Sequence, residues 1–167
     1  MEHSRSRRPA AIGAIAVATM LIATACSSTA KVTPVMDDSV RSVRDRLETV
    51  ARTSRSAADL ERRILDGESY TLLLLDATPQ EIRTTKPFPS TVITAVRRDG
   101  ERVDVEMYTT GQGSSGASWF GDESVNAVGC ARLTARPGRN ATATGVQCGD
   151  TVRAVFVDPW VEVRLRP

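Results

Sequence analysis

The feature that most constrains this chain is a change of hydrophobic period close to Gly67. From Asp37 to Gly67 the apolar residues fall at helical spacing, first Val40, Val43, Leu47 and Val50, then Leu60, Ile64 and Leu65. Asp38 or Ser39 can cap the start, and Gly67 sits where a left-handed residue closes a helix. Thr53-Ser54-Arg55-Ser56 carries no apolar member, so the element can break there, with Ser56 capping a second helix. Beyond Ser69 the period falls to two. Helical segments followed by a run of strands predict an α+β domain, with one or two N-terminal helices laid across an antiparallel sheet of hairpins.

The strands are marked by their turns. "SYTLLLL" (69–75) reads as a short strand, and "DATPQEIRTTKPFPS" (76–90) as a Pro-punctuated loop. Asp99-Gly100 lies between two alternating runs and predicts a tight hairpin, with Val92, Val96, Val103, Val105 and Met107 as buried candidates. A second hairpin pairs "VNAVGCARLTA" with "ATATGVQCGD" across the loop "RPGRN". "TVRAVFVDPWVEVRLRP" closes the chain as one or two strands broken at Asp158-Pro159. The layout resembles cystatin-like folds, in which a sheet wraps a single helix.

Gly111, Gly113 and Gly116 spell G-x-G-x-x-G, the pattern of a dinucleotide-binding turn. Such a turn needs a helix N-terminus and a parallel strand after it. Here "ASWFGDESVNAVGC" follows, with no helical period, and leads into the cysteine hairpin. The stretch reads as a Gly/Ser loop between hairpins, and no cofactor is expected. Trp119 and Phe120, next to Asp122 and Glu123, are candidates for contacting a sugar or peptide, against the alternative of core duty shared with Trp160.

The first residues bear on address. Arg5, Arg7 and Arg8 precede an uncharged apolar run from Ala10 to Ala25, the layout of an export signal. It ends in Ala23-Thr24-Ala25-Cys26, which resembles the lipobox of bacterial lipoproteins, although Ala23 stands where that family more often has Leu. The resemblance implies diacylation of Cys26, cleavage before it, and a place on the outer face of the cell membrane. Two acyl chains are what stable anchoring requires. Ser6-Arg7-Arg8 also faintly resembles a twin-arginine export signal. On this reading residues 1–25 are a signal peptide, 26–36 a tether, and 37–167 a single domain. The excess of Arg over Lys, with many Ala, Val, Thr and Gly, resembles actinobacterial composition.

Cleavage changes the charge. The full chain has 22 basic and 20 acidic side chains, and removing the three arginines and one glutamate of residues 1–25 leaves 19 of each. A neutral domain gives no electrostatic support to nucleic-acid binding. His3 is the one histidine and departs with the signal, which excludes Ser-His-Asp and Cys-His mechanisms. Cys130 and Cys148 are too few for a four-thiolate zinc site, and no metal is expected. In an oxidising exterior they are expected to form a cross-strand disulfide of structural kind, since Cys-x-x-Cys spacing is absent.

The leading expectation is therefore an anchored, non-enzymatic module that binds an envelope component, either a glycan or a protein partner. A small-ligand or lipid carrier is the alternative, with the valine-rich strands and "YTLLLL" lining a pocket. A third reading is a cell-wall hydrolase drawing acid and base from Asp104, Glu106, Asp122 and Glu123, since glycosidases need only two carboxyl groups. The arginines of the helical segment alternate with Asp45, Glu48, Asp59 and Glu61 and read as a solvated face.

Overall fold

The computed structural model describes residues 15–114 and 124–167, with side chains from residue 29 onward. The fold is α+β. Helix α1 (Ile15–Thr53) is followed by α2 (Ala57–Leu65), β1 (Leu72–Leu73), α3 (Pro79–Thr84), β2 (Thr91–Asp99) and β3 (Arg102–Ser114). Then come β4 (Ser124–Ala135), β5 (Thr142–Val146), α4 (Asp150–Val155) and β6 (Trp160–Glu162).

Helix α1 does not begin at Asp38 or Ser39. The stretch expected as a tether is helical, because Val32 and Met36 extend the same apolar stripe that Val40, Val43, Leu47 and Val50 continue. Pro34 sits inside the helix, leaving the Ala30 carbonyl without its usual N–H partner. The break at Ser54 is real. Ser56 caps α2 by accepting the Asp59 N–H at 3.1 Å. Gly67, at φ +85°, ends α2 in a Schellman arrangement, with Glu68 N–H on Arg63 O and Gly67 N–H on Ile64 O, both 3.0 Å.

The sheet runs β1-β2-β3-β4-β5, with β6 also on β4. It is mixed rather than purely antiparallel: β1 runs parallel to β2, and β6 runs parallel to β4 beyond the end of β5. The first hairpin forms one residue later than expected. Asp99 pairs with Arg102, so Gly100-Glu101 are the central residues, and Gly100 alone has positive φ (+59°). Glycine at the first central position is the requirement of a type II′ turn. Gly111 and Gly113 are not loop. They lie within β3 and pair with Ala127 and Val125, which brings Ser114 opposite Ser124. Trp119, Phe120, Asp122 and Glu123 fall outside the described residues.

Two cores flank the sheet. On one face α1 and α2 pack Met36, Val40, Leu47, Leu60 and Ile64 against Ile93, Val105, Met107, Ala131 and Leu133. This face admits the helix because Gly111 has no side chain, and a Cβ there would stand 2.5 Å from Val32 Cγ1. On the other face Ile82, Val92, Tyr108, Cys130, Val152 and Phe156 form a second core. Phe156 is its hub, meeting Tyr108, Trp160 and Phe88 edge-on at centroid distances of 5.2, 4.8 and 5.8 Å.

The sequence predicts no helix on that second face. The Pro-punctuated loop contains α3, started by Pro79 and a capping box between Thr78 and Glu81. The segment expected as a strand at Thr151 to Val157 is instead α4, which buries Val152, Val155 and Phe156 at spacings of three and four. Val152 and Phe156, four apart, fit either period, but Val155, three from Val152, joins them on one face only in a helix, which covers the sheet around Tyr108. "SYTLLLL" contributes just two strand residues, and Leu73 and Leu74 pack on opposite cores.

The C-terminal segment ties the layers together. Glu162 accepts the Cys148 N–H at 2.8 Å, and Leu165 then crosses the sheet beside Gly129 and Gly145 into the first core. The Arg166 N–H ends on Asp37 of α1 at 2.8 Å.

Candidate functional site

The two cysteines meet as expected. Cys130, on β4, is bonded to Cys148, just past the end of β5, with an S–S distance of 2.05 Å and Cα atoms 5.1 Å apart. Both are buried, so the bond staples β4 to the start of α4. Cys26 lies on α1, twenty-seven residues before its end at Thr53. No helix among the described residues is long and apolar enough to cross a membrane.

Beside the second core, where α3 and α4 stop covering the sheet, lies a groove of about 450 Å³. Its floor is apolar, from Ile82, Val146, Val152 and the disulfide at Cys130. Its walls are polar because β2, β3 and β4 present Arg97, Glu106 and Arg132 on the uncovered part of this face. Glu106 and Arg132 are cross-strand partners joined at 3.0 Å, and Arg97 has no ion-pair partner among the described residues. Asp150, at the start of α4, and Asp76 close the rim. An apolar floor under a few oriented charges suits recognition of a partner with both kinds of surface.

Of the four carboxylates proposed for catalysis, the two within the described residues, Asp104 and Glu106, are otherwise engaged. Asp104 accepts from Thr134 Oγ1 at 2.6 Å and faces Arg102 Nε at 3.3 Å, while Glu106 is held by Arg132. Tyr108 is fully buried with its hydroxyl unpartnered, and burial pushes its pKa up to about 12, so it stays a neutral phenol. Of the residues expected to line a carrier pocket, Val92, Val103 and Val105 fill the cores and Leu73 and Leu74 pack against them, while Tyr70, Leu72 and Leu75 are exposed. Ion pairs organise the helical arginines as expected, Arg62 with Asp59 and Asp66, Arg63 with Glu68 and Arg52 with Glu48, and Glu61 of α2 pairs with Arg98 of β2.

Sequence reasoning missed the groove because its walls come from three strands and its rim from helices that were read as loop and strand. No family model, curated protein or solved structure matches this chain.

Proposed function

We propose that the chain is a membrane-anchored extracytoplasmic lipoprotein, acylated on Cys26, that works by binding an envelope component or protein partner rather than by catalysis. The observation that carries this reading is a buried disulfide in a chain whose first residues have the layout of an export signal. Cytosolic thiols are kept reduced, so a structural Cys130–Cys148 bond and an export signal point to the same compartment. The unbroken run of α1 from Cys26 into the first core adds a mechanical feature, because the domain is then joined to its anchor by helix. The groove at Glu106 and Arg132 is the surface offered to a partner in this reading.

Mass spectrometry of the protein from its native membrane tests the anchor. A mature N-terminus at Cys26 carrying diacylglyceryl mass supports it, and an unmodified Cys26 in an intact chain refutes it. Crosslinking from residue 97, on the same groove, tests that surface in whole cells. A defined partner lost on Arg132→Glu supports the binding role, and an unchanged crosslinking pattern refutes it for this surface.

A further inference from the structure

On the opposite face of the sheet, where α1 gives way to α2, four arginines from three separate segments line one groove of about 480 Å³. Arg55 comes from the α1–α2 link, Arg98 from the end of β2, and Arg136 and Arg139 from the β4–β5 turn. The turn is held in place from below, since the Gly138 N–H donates to Ala51 O of α1 at 2.9 Å and the Ala141 N–H to Glu48 at 3.3 Å. Two acidic groups temper the cluster: Glu101 on the rim, and Glu61, which pairs with Arg98 at 3.4 Å. Asp59 lies close in sequence, but its carboxylate is taken up by the Arg55 backbone N–H and by Arg62. Arg55, Arg136 and Arg139 have no ion-pair partner among the described residues. This is local excess charge on a domain that holds 19 basic and 19 acidic residues after residue 25.

We propose that this groove binds the phosphate groups of an anionic envelope polymer. A carboxylate offers two coplanar oxygens and is satisfied by one guanidinium fork, whereas guanidiniums arriving from three directions suit the tetrahedral oxygens of phosphate. Ala57 and Ala58, the first residues of α2, also line the groove, and their N–H groups lie in the turn that has no intrahelical acceptor. At about 480 Å³ the groove is larger than a single phosphate needs, which favours a repeating ligand. Lipid headgroups of the anchoring membrane are the less suitable source. At a helical rise of about 1.5 Å per residue, the end of α1 stands roughly 40 Å from Cys26. The choice of an envelope polymer rests on the anchored reading above, while the anion chemistry of the groove does not.

The test is isothermal titration of the full chain, held in neutral phosphatidylcholine nanodiscs, with polyphosphate of defined length. Arg136→Ser/Arg139→Ser is compared with Arg164→Ser/Arg166→Ser, two arginines on the C-terminal segment that are equally without ion-pair partners. The expected result is saturable binding that weakens about tenfold or more in the first variant and less than about twofold in the second, with a shallower salt dependence in the first. Equal losses in both variants, or no binding by the native chain, would overturn the proposal. Inorganic phosphate binding as tightly as the polymer would overturn the repeating ligand. Capture of phosphatidylglycerol vesicles without polyphosphate binding would overturn the polymer in favour of a lipid surface. Because titration does not require acylation, the same measurement on unacylated chain in detergent separates failure of this site from failure of the anchor.

Discussion

Gly145 on β5 lies directly beneath the backbone of the C-terminal segment. A Cβ at this position would stand 2.1 Å from the Leu165 carbonyl oxygen and 2.8 Å from its carbonyl carbon. Both are backbone atoms, so no rotamer change relieves the clash, and Gly145→Ala must displace the segment by about an ångström. Displacement costs more than the contact itself. Leu165 is 2% exposed, and withdrawing it from the first core is worth about 2–5 kcal/mol on the scale of buried leucine truncations. The charge-assisted bond from the Arg166 N–H to Asp37 would contribute about 1.5–3 kcal/mol more if it broke fully. Partial relaxation and the better strand propensity of alanine offset some of this, by about 1 kcal/mol. The expected destabilisation is therefore about 2.5–7 kcal/mol, read as a fall in urea midpoint at unchanged slope.

The decisive control is a cycle with deletion of residues 163–167. Deletion should itself destabilise strongly, yet Gly145→Ala in the shortened chain should then cost less than about 1 kcal/mol, because nothing lies above the new methyl. Additive effects would show that the alanine acts within the sheet, and the account of a segment held down by close backbone approach would be wrong.

Two further outcomes follow from the same structure. Replacing both Cys130 and Cys148 by serine should lower stability by at least about 3 kcal/mol, the loop-closure value for a separation of 18 residues; a loss under about 1 kcal/mol in urea unfolding would refute it. Acid should also weaken the domain: Glu68 is held below its ordinary 4.5 by the Arg63 guanidinium and Glu81 below the same value by hydrogen bonds from Thr78, so each favours the folded state above the unfolded pKa. That contribution is lost as pH falls through about 4.5 and below, and a urea midpoint that stays level from neutral pH to pH about 3 would contradict it.

Much of the helical layer was legible because it is written in local chemistry. Val40, Val43, Leu47 and Val50 need no partner to declare their period, and Ser56 begins and Gly67 ends α2 through bonds within a few residues of themselves. The Cys130–Cys148 pairing was legible too, since the two runs flank one short loop and the hairpin brings them together. The errors share a cause. Val152 and Phe156 satisfy either period, and what brings Val155 onto the same face is the helix that covers the sheet around Tyr108. Gly111 and Gly113 look like loop residues in isolation, yet they are strand because they pair with Ala127 and Val125 of β4, and Gly111 leaves room there for Val32 and Met36 of α1. Thr78-Pro79-Gln80-Glu81 carried a capping box in plain view, outweighed in the reading by the prolines around it.

By itself the sequence determined the α+β class, the helix break, the hairpin order and the cysteine pair, all of which depend on residues close together along the chain. Tertiary structure alone decided that the sheet is covered on both faces, that the C-terminal segment crosses to α1, and that Arg55, Arg98, Arg136 and Arg139 share one groove. The reason is physical. Period, caps and turns are set by backbone geometry over a few residues, whereas a groove exists only once distant turns have been stacked at the same end of a sheet by the packing beneath them.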